Sequence, residues 1–222
     1  MKHPTIDYRN FMHCLSMAKG IDKDSPEFRN IQIFNLDGDK RLYMALMNGH
    51  TALIYRLPTV LDEGEENVYL TFPYTEKLEF FCKQNKNKSI TITKEGNLQF
   101  VDGTVVESVN VKDLNGRYGF GGIELHTWEG VFAQIKSVCN SDSLCYSKAM
   151  GHGITPNMYK FIFGGVEKGD TVAVYGDSTN INGPQVIRIS GLKNFLGVVM
   201  PMSSEKMMDD DNKDFFKGFW NI

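Results

Sequence analysis

The residues able to perform covalent or metal chemistry are few and scattered along the chain. The four cysteines form no Cys-x-x-Cys pair, and the five histidines are widely spaced. One stretch combines both types, because His126 and His152 flank Asp142 and Cys145, so a Cys/His nucleophile is one interpretation. An acidic turn at residues 36–40 has the aspartate pair of a calcium loop but lacks the later ligands. Phosphate-loop, metalloprotease and serine-hydrolase motifs are missing from the sequence. We therefore expect a binding protein with no catalytic residue, metal or cofactor.

Binding chemistry is concentrated in the segment 197–202, Gly-Val-Val-Met-Pro-Met, which follows Gly-Pro-Gln-Val-Ile-Arg at 183–188. Valine favours a strand, and Pro201 ends the strand because proline has no N–H to donate. The two flanking methionines offer flexible, polarisable side chains that adapt to different apolar groups. The segment is either a core strand that stops at its proline or the rim of an apolar groove.

Length and composition describe an ordinary globular protein. The chain has 222 residues, 41% of them hydrophobic and 23% charged, which suits one or two domains with a core. Its formal charge of −3 gives no overall attraction to nucleic acid, so DNA binding would need cations gathered on one face. No apolar run spans a bilayer and the first ten residues are not a signal peptide, so we expect a cytoplasmic protein. The cysteines are expected to be buried free thiols.

Periodicity and turn signals predict a recurring β-α-β-β-β order. Apolar residues at helical spacing predict a helix over 8–19, and Thr75 and Pro156 mark the starts of two more. Residues 128–138 fit either a helix or an irregular crossing. Short alternating segments between glycine-containing turns predict antiparallel strands at 28–35, 41–57, 67–72, 89–93, 97–101, 104–111, 171–175, 184–189 and 195–200.

A polar, glycine-rich stretch at 113–122 predicts a domain boundary. We expect one domain over 1–115, a second over 116–202, and an acidic, aromatic tail over 203–222. Three aspartates at 209–211 precede four aromatic residues, which would share one face of a helix. That face would either pack on its own domain or serve as a docking peptide.

Two separated motifs resemble the beta-subunit sliding clamp of bacterial DNA polymerase III. Residues 48–53, Asn-Gly-His-Thr-Ala-Leu, are similar to the Asp-Gly-His-Arg-Leu-Ala run of that family's central domain, with Asn in place of Asp and Thr in place of Arg. The segment 198–202 and its preceding Gly-Pro-x-Val-Ile-Arg are similar to the family's closing strand. A weaker likeness covers 118–131, where Trp-Glu-Gly-Val resembles the linker between consecutive clamp domains. With the β-α-β-β-β order, the similarity covers most of residues 5–202.

The resemblance implies an α+β DNA-clamp fold of repeated β-α-β-β-β units, with antiparallel sheets outside and helices on the inner face. In that family the two motifs face each other across a hydrophobic groove that receives short peptides from polymerases and other replication proteins. Thr51 and Ala52 replace the family's Arg and Leu, which changes the expected shape of the pocket. The groove residues implied here are Met47, Gly49, His50, Thr51, Ala52, Val198, Val199, Met200, Pro201 and Met202.

The resemblance also implies a ring around duplex DNA, held without sequence preference. A two-domain length suggests a phage or prophage clamp that closes as a homotrimer, in a bacterial or phage-infected cell. A clamp-fold monomer that binds or inhibits through peptides is the alternative. The densest cations, at 83–88, also suit a solvated helix end. The cations expected to face DNA are Arg9, Lys19, Lys77, Lys83, Lys86, Lys88, Lys136 and Lys160.

Overall fold

The fold is a layered α+β arrangement of two antiparallel sheets and four helices among the residues that the structure describes. The computed structural model describes residues 4–62, 67–109, 125–139, 144–146, 156–177 and 183–200. One sheet has four strands and the other has eight.

The twelve strands of the described residues range from two to ten residues in length. In chain order they are β1 (Thr5–Ile6), β2 (Asn30–Phe34), β3 (Arg41–Met47), β4 (Thr51–Val60), β5 (Tyr69–Pro73), β6 (Ile90–Ile92), β7 (Leu98–Gln99), β8 (Val105–Val106), β9 (Leu144–Tyr146), β10 (Val172–Asp177), β11 (Gln185–Ile189) and β12 (Phe195–Val199). The four-stranded sheet has the order β1-β6-β7-β8, and the eight-stranded sheet has the order β5-β2-β3-β4-β12-β11-β10-β9.

Side-chain caps begin the first two helices. The Asp7 carboxylate accepts hydrogen bonds from the first-turn amides of Arg9 and Asn10, and the Thr75 hydroxyl accepts one from Leu78 N–H. Such caps satisfy amides that have no partner within the helix. The helices are α1 (Tyr8–Gly20), α2 (Glu76–Gln84), α3 (Leu125–Cys139) and α4 (Pro156–Phe163).

The eight-stranded sheet separates two apolar cores because successive side chains along a strand point to opposite faces. On one face α1, α2, α4 and the four-stranded sheet enclose the larger core. On the other face α3 covers a smaller core around Trp128. Strand β4 shows the alternation directly, since Leu53 and Tyr55 belong to the larger core while Ala52 and Ile54 belong to the smaller one.

The chain is organised as three β-α-β-β-β units, with α3 outside them. The first unit is β1-α1-β2-β3-β4 and the second is β5-α2-β6-β7-β8. These two exchange their first strands, because β1 pairs with β6 and β5 pairs with β2. The third unit is β9-α4-β10-β11-β12, and its β9 pairs with β10 of the same unit.

The observed elements agree with most of the sequence expectations, correct one and add two strands. The α+β fold with antiparallel sheets is confirmed, and residues 128–138 lie in a regular helix. The expected single strand over 41–57 is wrong, because a turn at Gly49 divides it into β3 and β4. Strands β1 and β9 were not expected. The proposed boundary at 113–122 and the tail over 203–222 lie outside the described residues.

Candidate functional site: an apolar groove at the β4–β12 seam

The two motifs singled out in the sequence lie side by side in the structure. Strand β12 pairs with β4 in an antiparallel register that runs from Phe195 opposite Tyr55 to Val199 opposite Thr51. Beyond the last pair, Met200 N–H donates to the carbonyl oxygen of His50 at 2.8 Å. This seam joins the first unit to the third and makes one continuous sheet of them.

A tight turn sets the end of the seam. Gly49 has a φ of +85°, a left-handed conformation that a residue without Cβ adopts at little cost. The side-chain oxygen of Asn48 accepts hydrogen bonds from His50 N–H at 3.2 Å and Thr51 N–H at 2.8 Å. Asn48 N–H in turn donates to the Thr51 carbonyl at 3.0 Å. These bonds turn the chain back so that His50 faces Met200.

A shallow apolar groove lies at this end of the sheet. Its floor is the buried trio Met47, Ala52 and Val198, which belong to the smaller core. Exposed Gly49 and His50 and half-buried Met200 form its rim. Its free volume is about 40 Å³, little more than the share of one water molecule in the liquid. A large apolar side chain would enter only if the flexible methionines moved aside. The residues that line the groove are Met47, Gly49, His50, Thr51, Ala52, Val131, Val198 and Met200.

Helix α3 supplies the one groove residue that sequence reasoning missed, Val131. The helix is held on the sheet by Trp128, which is fully buried and stacks on Phe34 with ring centres 5.2 Å apart. The Trp128 indole N–H also donates to the Gln32 side-chain oxygen. One turn further along, Val131 reaches the groove. The Trp-Glu-Gly-Val segment was expected to resemble a linker between domains, so sequence reasoning did not place Val131 in the groove.

A buried histidine on the opposite face of the sheet from the groove connects α1, β4 and α4 by hydrogen bonds. His13 of α1 bonds to the Tyr55 hydroxyl of β4 through Nδ1 at 2.5 Å and to the Phe161 carbonyl of α4 through Nε2 at 2.7 Å. A carbonyl only accepts, so Nε2 carries the proton and Nδ1 accepts from Tyr55. Burial lowers the pKa of His13 to about 4. Neutral His13 therefore links three elements from the first and third units.

One of the expected groove residues lies outside the groove, and two are not among the described residues. Val199 is completely buried in the larger core, on the opposite face of the sheet from Val198. Its inclusion was wrong because adjacent strand residues point to opposite faces. Pro201 and Met202 lie outside the described residues.

Most of the expected DNA-facing cations do lie on the helices of one face. Helix α1 contacts both α2 and α4, so the three helices form a row. Lys19 and Lys83 both pair with the carboxylate of Glu79, at 3.1 Å and 2.5 Å. Hydrogen bonds from Lys83 and Tyr74 are the main cause that lowers the pKa of Glu79 to about 2. The exposed cations on or beside this row that form no ion pair with another described residue are Lys77, Lys86, Lys88 and Lys160.

One of the expected cations forms an ion pair on the helix row, and another lies on a different face of the sheet. Arg9 donates to Asp170 at 2.7 Å and to the carbonyl of Gly165 at 2.7 Å, so it joins α1 to the loop after α4. Lys136 lies on α3, across the eight-stranded sheet from α1, α2 and α4. It cannot share a surface with the other cations.

Nothing in the described part of the chain assembles a covalent or metal centre. Cys14 and Cys82 are buried free thiols, and burial raises the pKa of both, for Cys82 to about 12. Such thiols stay protonated and unreactive. Among the described residues no three His, Cys, Asp or Glu side chains gather as metal ligands. The expected partners His152 and Asp142 lie outside the described residues.

Comparison with solved structures identifies the class of fold. The DNA polymerase III subunit beta of Borrelia burgdorferi, in complex with a natural product, superposes with a TM-score of 0.51 at 13% identity, over 91% of this chain and 64% of that chain. The chain therefore has the α+β fold of the DNA polymerase III beta-subunit sliding clamps. It spans about two thirds of the length of the Borrelia protein.

Two further clamps give similar alignments. A sliding clamp from Pseudomonas aeruginosa with ligand aligns at a TM-score of 0.49 and 14% identity, over 95% of this chain and 67% of that one. The beta subunit from Thermotoga maritima aligns at a TM-score of 0.49 and 12% identity, over 91% of this chain and 66% of that one. No protein-family model and no curated protein matches the sequence. In the described residues, no helix combines the length and apolar character needed to cross a membrane.

Proposed function

We propose that this protein is a non-enzymatic, sliding-clamp-like processivity factor that binds apolar peptide segments of DNA polymerase and other replication proteins at the β4–β12 seam. The observation that carries the proposal is the groove itself. Residues about 150 positions apart in sequence, Ala52 and Val198, pair directly and form one apolar floor. The clamp fold supports the same assignment.

The groove has the composition of a peptide receptor. Its floor is apolar, so a leucine or phenylalanine side chain would gain free energy by leaving water. The exposed side chain of His50 at the rim offers polar ring nitrogens that would orient a bound peptide. Met47 in the floor and Met200 at the rim can repack around different anchors, which suits a receptor for several partners.

We test the groove by fluorescence anisotropy with a labelled peptide that carries a Leu-Phe anchor after polar residues. Val131→Glu and Met200→Glu place a carboxylate in the groove, and each should weaken binding by about tenfold, because an unpaired charge would be desolvated. The matched control is Val60→Glu, which alters the exposed far end of β4. Equal affinities for all four proteins would refute the proposed site.

We further propose that the helix face approaches duplex DNA. Lys77, Lys86, Lys88 and Lys160 provide charge there without base-reading groups, which suits contact with phosphates alone. Retention on circular and linearised DNA separates encirclement from ordinary binding. A topological clamp stays on circular DNA and slides off free ends, whereas equal retention on both would refute encirclement.

A non-ring clamp-fold module that binds peptides is the second candidate, and the arrangement of units favours it. The first two units exchange strands, but the third pairs its β9 with its own β10 among the described residues. Among the described residues the third unit therefore has no partner unit with which it exchanges a strand, whereas the first and second units have each other. Closure of a homotrimer stays a prediction. Sedimentation equilibrium decides, because a mass near 76 kDa, three times the 25.2 kDa chain, supports the ring and a monomer supports the module.

A further inference from the structure

A second pocket lies beside α3, at the other end of the β4–β12 seam from the groove. It has a volume of about 410 Å³ and is ten times larger than the groove. Four cations surround it, Arg41 on β3, Arg56 on β4, Arg188 on β11 and Lys136 on α3. Aromatic side chains form part of its wall, where Tyr43 and Phe132 meet edge-to-face at 4.8 Å. We call these six residues the basic pocket.

The charge of the basic pocket is only partly compensated. Asp39 pairs with Arg41 at 2.8 Å and accepts from the Tyr43 hydroxyl at 2.9 Å. Arg56 donates to the side-chain oxygen of Asn194, which is neutral. Among the described residues, neither Arg188 nor Lys136 forms an ion pair with a carboxylate. The pocket therefore combines an excess of positive charge with an apolar, aromatic wall, which suits an anionic peptide that also carries aromatic side chains.

We propose that the basic pocket holds the acidic, aromatic segment 203–222 of this same chain. Residues 203–214 contain five carboxylates and two lysines, with three of the carboxylates consecutive at 209–211. Phe215, Phe216, Phe219 and Trp220 follow, with Lys217 among them, so the whole segment carries five carboxylates and three lysines. The segment thus has both properties that the pocket selects, negative charge and aromatic rings.

The segment can reach the pocket. It follows Met200, whose N–H bonds to His50 at the groove end of the seam. The pocket residue Arg56 lies four residues along β4 from Ala52, a distance of about 13 Å at the rise of a strand. Asp209 lies nine positions along the chain from Met200, and an extended chain of that length spans roughly 30 Å. Docking there would leave the groove free for a partner peptide, since Val131 and Lys136 of α3 lie on different pockets.

Tryptophan quenching by acrylamide in the full chain tests the proposal. The chain has two tryptophans, and Trp128 is fully buried, so quenching reports mainly on Trp220. In the wild type the quenching constant should be low at low salt and rise about twofold in concentrated NaCl, which screens charge pairs. Arg56→Glu with Arg188→Glu should give the high value already at low salt. Asp209, Asp210 and Asp211→Asn should do the same while leaving the folded residues unchanged.

Matched variants and cross-links make the test specific. Lys94→Glu with Lys168→Glu changes the net charge equally but lies outside the pocket, and it should behave as the wild type does. A photo-cross-linker in place of Phe216 should label the peptide that contains Phe132 and Lys136, and the yield should not change on dilution. A salt-insensitive quenching constant, equal in all variants, would overturn the proposal. So would cross-links to Met47 in the groove, or a yield that falls on dilution and indicates a second copy.

Discussion

The buried histidine beneath the seam gives the folded protein a specific sensitivity to acid. His13 is 3% exposed, and its pKa is lowered from 6.5 to about 4, chiefly because burial disfavours the charged ring. In the unfolded chain His13 takes up a proton as the pH falls through 6.5, but in the folded protein it stays neutral until about pH 4. The free energy of unfolding contributed by neutral His13 is therefore complete above pH 6.5 and is lost between pH 6.5 and 4.

The size of this effect follows from the two pKa values. Each unit of pKa difference corresponds to about 1.4 kcal/mol, so a shift of this size is worth about 3 kcal/mol at full protonation. At pH 5 the folded ring is still mostly neutral while the unfolded ring is almost fully charged, and the loss relative to pH 7.5 is about 2 kcal/mol. A loss of that size is a large fraction of the stability of an ordinary domain.

Urea unfolding of the wild type and of His13→Gln at pH 7.5 and 5.0 measures the effect. Glutamine can donate to the Phe161 carbonyl and accept from Tyr55 without titrating. All other groups titrate alike in both proteins, so the stability advantage of the wild type should shrink by about 2 kcal/mol at the lower pH. The control is His50→Gln, which replaces an exposed histidine at the turn. An advantage of His13 that is the same at both pH values would show that the pKa is not lowered.

Three further predictions concern backbone and packing. Gly197→Ala should destabilise the fold by about 1–3 kcal/mol in urea unfolding, because the new Cβ would lie 2.5 Å from Cδ1 of Ile162. The matched control is Gly176→Ala, whose new methyl would have no atom within 4 Å and should change stability by less than about 0.5 kcal/mol. Gly49→Ala should cost about 1 kcal/mol because of its positive φ, and Gly49→Asn should recover part of that, since Asn tolerates this conformation. Replacing Lys86 and Lys88 by Gln should reduce the number of counterions released on DNA binding by up to about two. This number is measured from the slope of log K against log salt concentration. The first prediction would be contradicted by equal stability of the alanine variants at 197 and 176. The second would be contradicted by equal stability of the two variants at 49, and the third by an unchanged salt slope.

The sequence predicted the elements whose signals are local. Thr75 at a cap and Pro156 in a first helical turn placed two helix starts correctly, because those residues act within one turn. Strand β1 has two residues, too few for any periodicity to show. The run 41–57 was predicted as one strand because it is apolar on both sides of Gly49, although its Asn48-Gly49 pair is a turn signal that could have divided it.

The two segments of the candidate site were predicted together, but the face of the sheet on which each side chain lies was not. The likeness of 48–53 and 198–202 to a known groove brought the two segments together, and the seam register places them there. The sequence could not show which of Val198 and Val199 faces the groove, because both residues are apolar and both faces of the sheet are buried. The position of Lys136 depends on where α3 packs, which is a tertiary property that no local pattern encodes.

Methyl NMR of methionine tests the central claim most directly. The chain has 11 methionines, of which Met47 and Met200 line the groove while Met17 and Met44 are buried in the core on the other side of the sheet. Addition of a peptide with a Leu-Phe anchor to the full chain should shift the Met47 and Met200 methyl signals and leave those of Met17 and Met44 in place. Saturating peptide that leaves Met47 and Met200 unshifted would contradict the assignment of the β4–β12 seam as a peptide-binding groove.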